Sequence, residues 1–208
     1  MTDAQLVAQV QALLSTPHPW PITQAGEPVL RKPAARVDGR LPVELLHELL
    51  DGMRAQLPGV GVGLAAPQVG LDLALAVIED PATILPEVAA VRERTPQPLL
   101  ELINPVVTPV GPEQRVFYEG CLSVAGLVAV VSRHHRVQLS AQDRDGKDYD
   151  LELTGWPARI AQHETDHLNG TLYLDRAELR SLSNAAVYEK NWAQATPDAA
   201  AAALTFPI

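Results

Sequence analysis

Between residues 136 and 170 the apolar pattern changes period with no loop in between, and few chain paths accommodate that. "RVQLSAQDRDGKDYDLEL", 136 to 153, alternates in period two on both sides of Asp145-Gly146, a dipeptide suited to tight reversals, so two antiparallel strands are expected. "TGWPARIAQHETDHLNG" follows at once with helical spacing. Thr154 is a fitting N-cap, Pro157 sits in the first turn and Gly170 is a stop, which bounds a helix over Gly155 to Asn169. Along it Trp156, Ile160, His163 and His167 fall at i, i+4, i+7 and i+11 and form one stripe. Both histidines therefore share the apolar, inward face.

An imidazole on such a face must find a polar partner, because an unpaired buried polar group costs about 1 to 3 kcal/mol. A lone core histidine usually finds an ordinary hydrogen bond. Two of them at i and i+4 can instead share one divalent cation: their Cβ atoms sit roughly 5 to 6 Å apart, and each ring nitrogen can reach an ion at about 2.0 to 2.1 Å. Glu164, one step round the helix, can then reach a water on that ion and act as a base. The remaining histidines, His18, His47, His134 and His135, carry no comparable spacing and are expected to be solvated or locally bonded.

The rest of the chain organises around this helix. Residues 4 to 14 have the pattern of a short amphipathic helix, and Pro17, Pro19, Pro21 and Pro28 then enforce an extended or turning path. From Pro42 to Leu57, Leu45, Leu46, Leu49, Leu50 and Met53 recur at helical intervals. "LDLALAVIED", 71 to 80, is an apolar run of strand length, and the proline-rich stretch 81 to 98 reads as a surface insertion. Beyond about Asp175 an alanine-rich helix and tail are expected. The division is an N-terminal extension over 1–20, a catalytic domain over 21–175 and a C-terminal helix and tail over 176–208. Strands mixed with a few separated helices indicate an α+β fold.

Composition excludes several classes of function. With 208 residues, 47% hydrophobic and 20% charged, the chain can bury a real core. No apolar run approaches the roughly 20 residues that span a bilayer, and "MTDAQLVAQVQALLSTP" puts an acid before its apolar part, so no membrane partner and a cytoplasmic location are expected. A formal charge of -9 argues against specific nucleic-acid binding. Cys121 is the only cysteine, so no intramolecular disulfide can form.

A catalytic site with two histidines needs a third protein ligand and one open position. Cys121, in "YEGCLSV" at 118 to 124, is a candidate, although an isolated cysteine is more often a small buried hydrophobe. "GVGLAAPQVG", 61 to 70, lacks the lysine of a phosphate loop and reads better as backbone that a ligand can approach closely. Together, "GVGLAAPQ" at 61 to 68, "EGCLS" at 119 to 123 and "QHETDHLNG" at 162 to 170 closely resemble the three motifs of the peptide deformylases, in the same order and at similar spacing. The likeness extends from about Pro21 to Asp175.

That resemblance implies an α+β fold in which antiparallel and mixed β-sheets surround a central metal-bearing HExxH helix. It implies hydrolytic removal of the formyl group from N-formylmethionine on nascent peptides, and it admits docking on the ribosome near the exit tunnel. Carried over position by position, it makes Cys121, His163 and His167 metal ligands and Glu164 the catalytic acid and base, with Gln68 and the Leu122 N–H as donors to the formyl oxygen. The ion implied is Fe(2+), with Zn(2+), Ni(2+) or Co(2+) able to replace it, whereas ligand type alone would favour zinc. Val62, Gly63 and Gly120 would pair with the peptide backbone, the glycines leaving room for the incoming chain. Trp156, Arg159 and Ile160 would wall the methionine pocket, Arg159 by its aliphatic stem with the charge turned to water. Glu119 and Arg133 match positions that often pair. After "EGCLSV" this chain has Ala125-Gly126 where many relatives have proline, and Val128 where some have arginine, which affects contacts beyond methionine. Two rival readings are a zinc endopeptidase using the same helix motif and a non-enzymatic relative that binds nascent chains.

Overall fold

The computed structural model describes residues 2–208. The chain runs through α1 (Asp3–Leu14), α2 (Val43–Ala55), β1 (Gly63–Ala65), β2 (Leu75–Asp80), α3 (Pro86–Arg92), β3 (Gln97–Pro109), β4 (Gln114–Cys121) and β5 (Val124–His134). It continues through β6 (Arg136–Gln142), β7 (Asp148–Thr154), α4 (Gly155–Leu168), β8 (Ala177–Asn184), α5 (Ala185–Asn191) and α6 (Asp198–Leu204). Five strands form one sheet in the order β1-β2-β3-β6-β7, and three form a second in the order β4-β5-β8. Every pairing among the described residues is antiparallel, which corrects the expectation of mixed sheets. A parallel pair needs a long crossover. Here the chain turns back through connections that return each strand against its neighbour.

The hairpin forms as its alternation dictates. Val137 pairs with Leu153 and Leu139 with Leu151, and all but the half-exposed Leu151 are buried. At the turn Asp143 Oδ1 accepts from the N–H groups of Asp145 and Lys147, at 3.0 Å each, and Gly146 takes φ +77°. From β7 the chain enters α4 through Gly155 at φ +66°, where an added Cβ would lie 2.6 Å from the Glu93 Cβ. Thr154 is the N-cap residue by position, yet its side chain makes no capping bond. The helix packs on β1, β2, β3, β6 and β7 of the larger sheet and on β5 of the smaller one. Ala158, Ile160, Ala161 and Leu168 are buried against strands of the larger sheet, so the histidine stripe lies between the two sheets.

Four departures from the sequence reading have physical causes. The strand expected from residue 71 begins at Leu75, because Leu71 and Leu73, both fully buried, belong to a turn closed by Leu71 N–H donating to Ala66 O. The 81 to 98 stretch is not all loop: it contains α3, none of whose residues is buried, and its last two residues begin β3. The N-terminal helix is part of the core, with Leu6 and Val10 fully buried in the cluster that α2 also lines. Beyond Asp175 the chain is not simply helix and tail. First comes β8, paired with β5 through Val131↔Ala177 and Leu127↔Asn184. This strand evades a hydrophobicity reading because it turns Ser181 and Ser183 inward and leaves Leu179 and Leu182 exposed. Two short helices follow, and Phe206 is buried with Ala200 and Ala201 against Tyr118 and Val130.

Candidate metal centre and active site

β4 and β5 meet in a tight reversal over Leu122-Ser123, and the register slips between Gly120 and Cys121. Such a bulge re-aims the side chain that follows it. Cys121 comes to lie beside α4, its Sγ 3.3 Å from His167 Nε2. The thiol and the imidazoles of His163 and His167 offer ligand atoms that all fall within 4.8 Å of one another. A soft thiolate with two imidazoles fits a transition metal or zinc rather than magnesium or calcium. Burial holds the His167 imidazole well below its usual range and so keeps it in the neutral form that a metal requires.

Glu119 fixes the second imidazole. Its carboxylate is buried and can only accept, so the 3.0 Å contact with His163 Nδ1 puts the proton on Nδ1 and leaves Nε2 for an ion. The same carboxylate accepts from Arg133 Nε and Nη2, both at 2.9 Å, and from Arg159 Nη1 at 2.6 Å. Burial alone would push Glu119 up; the Arg133 guanidinium, the His163 hydrogen bond and Arg159 outweigh it and hold the carboxyl well below the usual range. Asp166, inside the helix motif, accepts from Arg133 Nη1 on one side and from Arg176 Nε and Nη2, each at 2.8 Å, on the other. The buried guanidiniums of Arg133 and Arg159 thus face the buried carboxylates of Glu119 and Asp166 beside the candidate ligands, and loss of one partner would strand a charge.

Glu164 is buried against β1, and its Oε2 has no hydrogen-bond partner. Burial pushes its carboxyl up to about 7, and a nearby cation would draw it down again. The structure adds a second reason for glycine at 63. A Cβ there would lie 2.6 Å from Glu164 Cδ and 2.8 Å from Cγ, so the missing side chain makes room for this carboxylate. Gln68 is held by Ala65 N–H donating to its Oε1 at 2.9 Å, which turns Nε2 toward Cys121 Sγ at 3.5 Å and Ser123 Oγ at 3.4 Å. Gln24 steadies the reversal by donating from Nε2 to Leu122 O at 3.0 Å.

These groups open onto a cleft of about 410 Å³. Val62, Gly63, Gln68, Gly120, Cys121, Leu122, Trp156, Arg159, Ile160, His163 and Glu164 all border it, while the buried His167 belongs to the cluster without lining the cleft. β1 and β4 are edge strands of their sheets, so the cleft runs between two sheet edges.

Residues 19–182 match the sequence profile of the family described as polypeptide deformylase. Peptide deformylase 3 of Streptomyces avermitilis is 54% identical over 204 residues, spanning 98% of this chain and 91% of that protein. The chain belongs to the peptide deformylase family. It is an enzyme of that family, and the likeness reaches distant members. The mitochondrial peptide deformylase of Homo sapiens is 37% identical over 172 residues, covering 78% of this chain and 70% of that protein. The solved peptide deformylase of Thermotoga maritima superposes with a TM-score of 0.65 at 34% identity, covering 78% of this chain and 99% of that one. A class I type b deformylase from Acinetobacter baumannii, solved with Met-Ala-Ser bound, gives 0.67 at 32% identity, covering 76% of this chain and 98% of that one.

Within this deformylase the expected residues converge, with one correction of detail. The Arg159 charge does not face water: the side chain is 4% exposed, and besides Glu119 it donates to Val131 O at 3.1 Å and Arg115 O at 2.6 Å. Its neighbours leave the guanidinium no path to solvent. Of the histidines expected to be solvated or locally bonded, His18, His47 and His135 find partners, but His134 Nδ1 is buried without one. Sequence reasoning missed Asp166, Arg176 and Arg92. Asp166 lies within the helix motif, but nothing in the linear order signals that Arg133 and Arg176 meet there; Arg92 comes from the supposed surface insertion and borders the cleft. No helix is long and apolar enough to cross a membrane.

Proposed function

We propose that this deformylase removes the formyl group from N-formylmethionine at the start of newly synthesised proteins, with Cys121, His163 and His167 holding one divalent metal ion. An ion bound there supplies a Lewis acid that polarises the formyl carbonyl and makes water acidic enough to react near neutrality. Glu164 takes the proton from water as it adds to the formyl carbon. Gln68 Nε2 and the Leu122 N–H donate to the oxygen on which negative charge develops; loss of one such donor typically costs about 2.7 to 4 kcal/mol. Glu164 then hands its proton to the departing amine, and formate and a free amino terminus result. The observation that carries this reading is three ligand atoms within 4.8 Å of one another next to a buried, unpartnered Glu164 oxygen.

The peptide adds between the two sheet edges, its backbone against Val62, Gly63 and Gly120. Its methionine side chain enters the part of the cleft walled by Trp156, Arg159 and Ile160. Ferrous iron is the ion we favour, on the family resemblance, with zinc, nickel or cobalt able to replace it. The substrate, a nascent chain, and a thiolate ligand that needs reducing conditions both suit the cytoplasm, with the ribosome as a docking partner near the exit tunnel. A metal-binding helix built around His163, Glu164 and His167 is the centre of this arrangement.

The test is anaerobic purification with metal analysis and a formate assay on formyl-Met-Ala-Ser. Wild-type protein should contain about one metal per chain and release formate, whereas E164A should keep the metal and release none. Formate release by E164A at the wild-type rate would remove Glu164 from its role. Cleavage of internal peptide bonds without formate would instead support an endopeptidase.

A further inference from the structure

We propose that Arg92, in α3, is a specificity-determining residue that makes the side-chain pocket select by charge. It favours unbranched side chains ending in a hydrogen-bond acceptor, methionine sulfoxide being the clearest case, over cationic ones. The inference rests on the deformylase reading above. Arg92 borders the cleft beside Trp156 and Arg159. Its Cζ lies 5.2 Å from the centroid of the Trp156 ring and 5.8 Å from that of Phe117, while Arg159 Cζ lies 5.7 and 5.1 Å from the same rings. Arg92, Arg159 and Trp156 therefore border one end of the pocket, with the buried Phe117 ring 5.9 Å from Trp156 behind them; Arg94, 5.5 Å from the Trp156 ring, is neutralised by Asp80.

Arg92 and Arg159 differ in how they are compensated. Arg159 is paired with the Glu119 carboxylate and spends its remaining bonds on backbone carbonyls. Arg92 donates from Nε to Ala195 O at 3.2 Å and from Nη2 to Gln194 O at 2.9 Å. These two bonds anchor the guanidinium to the segment before α6. Among the described residues it forms no ion pair, and its Nη1 makes no hydrogen bond. An acceptor at the tip of a substrate side chain would gain a charge-assisted bond at low ordering cost, because the guanidinium is already held. An ammonium in the same place would meet an uncompensated like charge. The thioether of methionine gains chiefly from the Trp156 ring.

The experiment compares formate release by the metal-loaded wild type, R92M and R92K on formyl-Met-Ala-Ser and on the same peptide carrying methionine sulfoxide. The readout is the ratio of kcat/KM for sulfoxide over thioether. In R92M this ratio should fall about tenfold, chiefly through KM, the size expected for one charge-assisted hydrogen bond. R92K keeps the cation and should hold the ratio within about threefold of wild type. A ratio in R92M equal to wild type overturns the proposal, and so does an equal fall in R92K, which would make the residue a structural anchor only. Absence of formate from the unoxidised peptide with wild-type protein is a separate failure, that of the deformylase reading itself.

Discussion

Gly63→Ala tests whether a missing methyl group positions Glu164, the carboxylate proposed as the catalytic base. Gly63 does not occupy the left-handed region, so alanine suits its backbone and the perturbation is one of volume. The new Cβ would sit 2.6 Å from Glu164 Cδ and 2.8 Å from Cγ, against an ordinary carbon contact of about 3.5 to 4.0 Å. Either β1 or the Glu164 side chain must yield by about 1 Å. β1 is held to β2 through Gly63↔Ile78, Leu64↔Val77 and Ala65↔Ala76, while the carboxylate has an oxygen with no partner, so the side chain moves. A misplacement of about 1 Å in a catalytic group costs on the order of 100-fold in rate, or ~2.7 kcal/mol of barrier. Overpacking should lower stability by about 1 to 3 kcal/mol. The assay is steady-state formate release with metal content measured on the same samples. Expected are a kcat reduced about 100-fold, a much smaller change in KM and an unchanged metal content. Wild-type kcat would refute the steric argument, and loss of the metal would show that the methyl group acts on the ligands rather than on Glu164.

Three further outcomes follow from the same geometry. Glu119→Gln removes the charge that Arg133 and Arg159 share and should destabilise the fold by about 3 to 5 kcal/mol, with metal affinity falling roughly 10- to 100-fold; thermal melts and metal titration check it, and an unchanged melt would mean that the buried cluster carries no net stability. Tyr149 is pushed up to about 12 by burial, then by Glu101 and Asp143, so the fold favours the neutral phenol: its contribution is whole below pH ~10 and is lost as pH rises toward about 12. Denaturant melts from pH 8 to 12 should therefore show an alkaline loss that is shallower in Tyr149→Phe, and superimposable profiles would contradict the assignment. An iron form held by a thiolate should lose activity in aerated buffer while nickel or cobalt forms persist, measured as formate release over hours of incubation; equal persistence would argue against iron oxidation as the cause.

Much of this arrangement is legible before any fold is known. The helix that carries His163, Glu164 and His167, expected over Gly155 to Asn169 and found over Gly155–Leu168, and the hairpin before it are written in spacing and turn residues. The clustering of Cys121 with the histidines followed from a resemblance of three motifs, not from spacing. Hydrophobicity misled where a strand breaks its usual rule: Ser181 supplies an acceptor for Val130 N–H at 2.7 Å inside the sheet, and the leucines of β8 face out. It also misled at Arg159, whose buried charge depends on an acceptor 40 residues away in sequence.

Periodicity and capping are properties of neighbouring residues, so the sequence marks α2, the β6–β7 hairpin and α4 and shows which donors share a face, while α3 and β8 escape it. Distances between segments are another matter. The register shift between Gly120 and Cys121 that turns Cys121 toward α4, the four donors that converge on Glu119, the space at Gly63 that admits Glu164 and the presence of Arg92 at the cleft all depend on sheet register and on how two sheets clasp one helix. Those are set by the simultaneous packing of the whole core, which no short window of residues contains.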